Sequence, residues 1–279
     1  MSKHRIVIEP NSENANYWKD LWNYRGLFYF LAWRDILVRY KQTVIGIAWS
    51  VVRPLLTIVV MSALGALFNS PLPSSVPRLL LVGAATLPWQ FFSTAFSEAS
   101  GSLVANSNLL TKVYFPRLII PVSTVIVCVI DFLISFAILI GIMVYYQFMP
   151  DYRILFLPLF FALAFVTSLG LGLYIAALNV KYRDFRYIIP FIVQFGVFVS
   201  PIAFNSELVY SKDIPQFFKF IYAMNPMVGV IDGFRWCILG GGTTIYLPAF
   251  LTSIAISIVF LILGIWYFRK TEQSFADVI

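Results

Sequence analysis

The apolar positions of this 279-residue chain come in long unbroken runs instead of alternating with polar ones. A bilayer core of about 30 Å takes around 20 apolar residues per helix. Six runs approach or exceed that length: Val44 to Phe68, Leu79 to Val104, Leu118 to Tyr146, Ile154 to Leu178, Ile188 to Phe204 and Tyr246 to Phe268. Continuous runs without a period of two predict helices, not the strands of a barrel. The pattern therefore predicts an all-α integral membrane protein with six transmembrane helices. Ahead of the first span, Trp18, Leu21, Trp22, Arg25 and Phe28 or Tyr29 recur at helical spacing within Tyr17 to Leu31. That spacing predicts an amphipathic helix lying in the membrane interface with aromatics at headgroup depth, the alternative being a short solvated arm. Between the fifth and sixth spans, Asn205 to Ile245 is neither a loop nor a full span. Its apolar part, Met227 to Leu239, is too short to cross and is bounded by Asn225-Pro226 and by Gly240 to Gly242, so it reads as re-entrant or interfacial. Such backbone persists at membrane depth only where protein or water satisfies it, which places it beside a cavity. The chain divides into an N-terminal cytoplasmic or interfacial region (1–43), a six-helix membrane domain (44–268) and a tail (269–279), one domain in all.

Composition supports the membrane reading. The chain is 60% hydrophobic, 18% aromatic and 12% charged, with a mean hydropathy of +0.83, where a soluble domain carries roughly 25% charged residues. The net charge is +7, but the cations sit in short segments between apolar runs and not on one groove-like face. This points to anionic headgroups and away from nucleic acid. With the N-terminus inside, fourteen of the 20 Lys and Arg residues fall in inner segments and five in outer ones, Arg53 lying within the first span. Orientation follows the Lys and Arg content of short loops, so both termini are expected to be cytoplasmic. The densest block is Trp33 to Pro54, where Arg34, Arg39 and Lys41 run directly into the first span. The N-terminal segment lacks the apolar core and cleavage site of a secretory signal peptide, which leaves insertion to that span.

The inventory for catalysis is thin. His4 is the sole histidine, and Cys128 and Cys237 are far apart. No histidine triad, disulfide framework or metal-ligand spacing is available. No glycine loop of the form GxxxxGK followed by Ser or Thr occurs, so the chain has no ATPase motif of its own. Charges inside the spans say more, because each costs at least about 2.5 kcal/mol unless paired or hydrated. Arg53 lies beside Pro54 in the first span, Glu98 in the second and Asp131 near the middle of the third. Arg53 either faces a polar path and meets an anionic substrate, or pairs with Asp131, or snorkels to the inner surface. Asp131 alone reads most simply as a hydrogen-bonded structural group. In the fifth span Phe191, Phe195 and Phe198 share one helix face. Such a stripe either lines a path for sugars or packs against protein and lipid, and Trp49 and Trp89 carry the same two readings.

Several strings resemble, in order and at the expected spacing, the membrane-spanning subunits of ABC-2 type transporters that export polysaccharide, O-antigen and teichoic acid. They are RDILVRYKQTVIGIAWSVVRPL (Arg34 to Leu56), LLTKVYFPRLIIP (Leu109 to Pro121) followed by Asp131-Phe132, ALNVKYRDFRYIIPFIVQ (Ala177 to Gln194), SPIAF (Ser200 to Phe204) and NPMVGVIDGFRWCILG (Asn225 to Gly240). Two departures stand out: Asp232 where Glu is expected, and Phe204-Asn205 where Tyr-Pro is common. The resemblance implies a homodimer of six-span subunits in the bacterial cytoplasmic membrane, with two copies of a separate ABC ATPase on the cytoplasmic face. This chain would then hold no cofactor, ATP and magnesium being used by the partner. It implies that a short helix within Asn106 to Arg117, including Leu109, Leu110, Lys112, Tyr114 and Phe115, docks into the ATPase. Independently, Asn106, Ser107 or Asn108 can cap such a helix and Pro116 must end it. The resemblance also implies small gate helices on the outer side within Ile214 to Leu239, which holds Asn225, Pro226, Asp232, Phe234, Arg235 and Trp236. The cargo would be a lipid-linked glycan, O-antigen-like or else teichoic acid or capsule. Arg34, Arg39 and Lys41, near the cytoplasmic entrance, are candidates to meet its lipid diphosphate. The rivals are an ion-coupled secondary transporter working without an ATPase, and a membrane-embedded transferase, for which clustered carboxylates or histidines are lacking.

Overall fold

A computed structural model describes residues 17–41, 46–67, 76–182, 184–211, 214–240, 243 and 245–275. Lys3, His4, Arg5, Arg183, Lys212, the second and third glycines of the Gly240 triplet and the last four tail residues lie outside the described residues. The described chain is helical: α1 (Tyr17–Asn23), α2 (Arg25–Lys41), α3 (Gly46–Leu67), α4 (Arg78–Ala105), α5 (Ser107–Lys112), α6 (Ile119–Tyr145), α7 (Leu157–Lys181), α8 (Phe185–Val199), α9 (Glu207–Ser211), α10 (Gln216–Ala223), α11 (Pro226–Leu239) and α12 (Leu247–Thr271). Single 3-10 turns precede α7 (Tyr152–Phe156) and follow α12 (Glu272–Ser274).

Local chemistry sets many of the boundaries. Proline occupies a first-turn position in α7, α11 and α12, where its missing N–H leaves no bond unmade. Asn225 caps α11, its Oδ1 accepting the Met227 N–H at 3.0 Å. At the other end of α11, Gly240 takes φ 65°, a left-handed conformation that glycine adopts without a Cβ penalty. The predicted arm before the first span breaks into two helices at Tyr24, whose N–H bonds back to the Asp20 carbonyl at 2.9 Å. Leu21 and Phe28 face the protein, and Trp18, Trp22, Tyr29 and Trp33 face out. Apolar groups on both faces suit a helix lying between protein and lipid.

Five helical stretches are long and apolar enough to cross a membrane: Ala48–Leu67, Arg78–Ala105, Ile119–Tyr145, Tyr152–Lys181 and Leu247–Ser274. The predicted fifth span is the exception. In place of Ile188 to Phe204, α8 ends at Val199 after 15 residues, about 22 Å at 1.5 Å per residue, short of the core thickness. The cause is local: Ser200 precedes Pro201, and a residue before proline is pushed from helical to extended backbone, here ψ 148°. Even so, only three residues separate α8 from the end of α7, while the carbonyls of Ile202 and Phe204 reach Arg235, which also bonds to Leu81 in the first turn of α4. The chain thus returns across the bundle through α8 and the 200–204 segment. Tyr17 and Glu272 meet at 3.3 Å, so the first and last described elements share one end of the bundle, the end that carries α5.

The most deeply buried span is α4, which packs against α3, α6, α7, α8 and α11. Its Phe91 anchors an aromatic cluster with Phe132 and Phe161, ring centroids 4.3–5.8 Å apart. A second apolar core lies at the α5 end, where Leu31, Leu103, Leu110, Phe115, Leu118, Phe268 and Phe275 meet. Between α7 and α12 the backbones nearly touch: a Cβ on Gly264 would fall 2.2 Å from the Gly170 carbonyl oxygen, and one on Gly170 2.5 Å from the Leu261 nitrogen. Thr167 and Ser257 share a hydrogen bond of 2.7 Å along this seam. Small residues and hydroxyls are what hold helices together where lipid removes the hydrophobic drive.

Gly170→Val is therefore expected to destabilise the protein by about 1–3 kcal/mol or more through overpacking. Gly101→Ala, whose Cβ meets nothing within 4 Å, is expected to leave stability unchanged or raise it slightly. Thermal unfolding in detergent separates the two, and equal midpoints would refute the close-packed seam.

Candidate functional site

The α5 segment is built from both its neighbours. Asn106 closes α4, its Nδ2 donating to the Ser102 carbonyl at 2.9 Å, while its Oδ1 accepts Arg34 Nη2 at 3.1 Å. It makes no side-chain cap to α5, so the expected capping role is corrected: the amide is already occupied at the end of α4 and by α2. The helix ends at Lys112, four residues before Pro116, where Val113 turns extended. Leu110 and Phe115, each 4% exposed, are pegs in the second core, and Leu109 packs at its edge. Lys112, Val113 and Tyr114 face outward. Arg117 turns inward, its backbone N–H donating to Glu272 Oε1 at 2.7 Å. Of the residues expected on a docking face, Lys112 and Tyr114 are presented, and Leu110 and Phe115 hold the segment in place.

The basic block before α3 is largely engaged within the protein. Arg34 pairs with Asp35 at 2.7 Å as well as with Asn106. Arg39 forks between two spans, Nη1 meeting Asp131 Oδ2 at 2.6 Å and Nη2 meeting Glu98 Oε1 at 2.7 Å. The Tyr40 hydroxyl donates to the other Asp131 oxygen. Burial works to lower the Arg39 pKa, but the Asp131 and Glu98 carboxylates raise it on balance and hold the guanidinium charged. An open cavity of about 320 Å³ lies beside this fork. Of the three readings open for Arg53, pairing with Asp131 is excluded, because Asp131 pairs with Arg39. Arg53 sits exposed, while the next residue, Pro54, is buried. Lys41 is exposed as well, as is Trp49.

The residues assigned to an outer gate are interior. Phe234 meets Phe132 edge to face at 6.1 Å, Pro226 is buried, and Asn225 spends its side chain on the α11 cap and on Ser200. Asp232 accepts the Ser206 hydroxyl at 2.8 Å. Trp236 is half-buried with the Arg153 guanidinium 5.1 Å from its ring centroid. Arg235 is buried among backbone carbonyls of α4 and the segment after α8. Phe191, Phe195 and Phe198 are all exposed on α8, with the first two rings 4.2 Å apart. Trp89 instead packs inward, against Gly196, where a Cβ would lie 2.4 Å from its ring. Sequence reasoning missed Tyr40, Ser206 and Glu272, whose partners are 16 to 255 residues away. It also missed an open groove of about 630 Å³ between α4, α7 and α8 that Arg186, Gln194, Ser97 and Asn179 help to line.

A helical bundle with five membrane-length helices is a multi-pass membrane protein. The chain belongs to the ABC-2 type transporter family, whose model matches residues 26–239. It is 25% identical over 253 residues to the O-antigen export system permease protein RfbA of Klebsiella pneumoniae, covering 88% of this chain and 92% of that one. A protein of the same name from Myxococcus xanthus is 25% identical over 217 residues, 78% and 82% of the two chains.

Removing Arg39 leaves two half-exposed carboxylates facing each other without their cation. Arg39→Ala and Asp131→Asn are expected to be non-additive, with a coupling of roughly 0.5–3 kcal/mol in a double-mutant cycle. Arg53→Ala is expected to stay within about 0.5 kcal/mol of the unmodified protein. Additive effects of the first pair in detergent unfolding would remove the fork.

Proposed function

We propose that this chain is the permease subunit of an ATP-driven exporter that moves a lipid-linked, O-antigen-like polysaccharide across the cytoplasmic membrane of a bacterium. The observation that carries the reading is the reach of the family match, from α2 to α11, so that nearly all of α2, α5 and the buried α11 lie inside it. The relatives that cover most of the chain are O-antigen export permeases. The working unit in this reading is a homodimer with two ABC ATPase subunits, which use ATP and magnesium. Both termini lie in the cytoplasm, supported by the Lys and Arg asymmetry and by the meeting of Tyr17 with Glu272. The sixth crossing is made by α8 and the segment after it.

In mechanism, the outward face of Lys112, Val113 and Tyr114 takes the push of the closing ATPases. Movement of α5 reaches α4 directly through Asn106 and reaches α2 through Arg34. The Arg39 fork couples α2 to α4 and α6, and a path opens between the two permeases. Because Arg34 and Arg39 are engaged within the protein, Lys41 and Arg53 are the cations of the block left open to a lipid diphosphate.

The test is co-purification with an ABC ATPase subunit from the source cells, and glycan transport in vesicles. ATP-dependent transport and stable capture of the ATPase are expected. Tyr114→Ala with Lys112→Glu is expected to weaken capture by at least about tenfold, as loss of an interface hot spot does. Transport that proceeds without ATP or any ATPase would sink the proposal.

A further inference from the structure

Three segments remote in sequence meet at the end of α12, and the contact does not involve the outward face of α5. The Glu272 carboxylate accepts the backbone N–H of Arg117 at 2.7 Å and the Tyr17 hydroxyl at 3.3 Å through the same oxygen. In return the Arg117 guanidinium donates to the Glu272 backbone carbonyl. The exchange ties the turn ahead of α6 to the end of α12 from both sides: the carboxylate holds the N–H of Arg117, one residue before Leu118 at the N-cap position of α6, and the guanidinium shares the Glu272 carbonyl with the Phe275 N–H. Arg269, in the last turn of α12, lies 4.4 Å from the Tyr17 ring centroid, and Arg117 lies 6.0 Å from that of Phe275. Phe275 packs edge to face on Phe268, and both are buried in the second core with Leu110 and Phe115. Burial, and then the Glu272 carboxylate, push the Tyr17 pKa above the ordinary tyrosine range, so its hydroxyl stays protonated and donates. Tyr17 and Glu272 both lie outside the residues that match the family.

We propose that Glu272 is a positioning residue for coupling: it locks the link between α5 and α6 onto the end of α12 and onto α1, so that a push on α5 moves α6, α12 and the interfacial arm as one body. The inference rests on the reading of α5 as the ATPase contact. Without the lock, α5 still offers Lys112, Val113 and Tyr114 to a partner, but the link to α6 slides over the end of α12 and displacement is lost there. A defect confined to the lock therefore separates ATP turnover from transport, whereas general destabilisation lowers both together.

The experiment uses the complete permease–ATPase complex in proteoliposomes and reads ATP turnover, glycan moved per ATP and ATPase capture. Glu272→Ala is expected to keep capture and turnover while glycan moved per ATP falls about fivefold or more, the scale on which losing a hydrogen bond to a charged acceptor shifts an equilibrium. Glu272→Gln keeps an acceptor oxygen for the Arg117 N–H and is expected to restore most of the ratio. Tyr17→Phe removes a single donor and is expected to lower the ratio in the same direction by less, which preserves the test if Glu272→Ala does not accumulate. An unchanged ratio in Tyr17→Phe and in whichever Glu272 variant folds, or turnover and transport falling in parallel, would overturn the inference and leave the exporter reading standing. An unmodified complex that moves no glycan with ATP would overturn both.

Discussion

A guanidinium with no water to fall back on organises one end of this bundle. Arg235 is 1% exposed, and its Nε, Nη1 and Nη2 donate to the carbonyls of Leu81 at 3.3 Å, Phe204 at 2.9 Å and Ile202 at 3.0 Å. Burying an unsatisfied cation costs several kcal/mol, so the start of α4, the segment after α8 and α11 are required to converge on one side chain. The requirement explains how the break that Pro201 imposes at Ser200 is accommodated. Irregular backbone survives among membrane helices only if protein satisfies its freed carbonyls, and two of those carbonyls are the ones Arg235 uses. One helical turn earlier, Asp232 accepts from Ser206, whose hydroxyl also meets Tyr222 at 2.9 Å. The short α11 is therefore a fixed wedge between α4, α7 and α12, not a surface flap.

The Arg39 fork repeats the device with a different setting. Arg39 also pins a helix that does not span to helices that do, but its side chain is 31% exposed and its partners are carboxylates half open to solvent. Ion pairs at that exposure are individually weak. They exchange with water at little loss, whereas the Arg235 contacts do not. The bundle thus has one end closed by a buried charge on backbone carbonyls, while α2 is tied along α4 and α6 by contacts that can part.

What the sequence made legible followed the range of the forces involved. Lengths of apolar runs and cap chemistry are local, so α3, α4, α6 and α12 fall close to their predicted bounds, and α11 begins at Asn225-Pro226 and ends at Gly240 as read. The end of α8 was also written locally, in Ser200-Pro201, but run length outweighed the proline signal. Pairing of charges was not legible. Arg53 and Arg39 are equally basic on paper, and only the docking of α2 along α6 brings Arg39 rather than Arg53 to Asp131, 92 residues away. Asn106 misled for a related reason. Its residue type correctly marked a helix boundary, but a side chain between two helices serves one of them, and here α4 and Arg34 claim it.

The six residues of α5 can serve as the proposed contact only if the rest of the fold holds them in place. An isolated helix of one and a half turns is unstable in water, because nucleation is unfavourable and few bonds repay it. The orientation of α5 must therefore come from outside: from Asn106 at its start, from Leu110 within it and from Phe115 just beyond it. Both apolar pegs enter a core that also contains Leu31 of α2 and Phe268 of α12. A force applied to the outward side chains meets no soft hinge between the segment and that core, since close-packed interiors transmit displacement and do not absorb it. The short helix works as the exposed corner of a larger packed block, and the composition of that block, from both chain ends as well as from α4 and α7, determines which spans can feel it move.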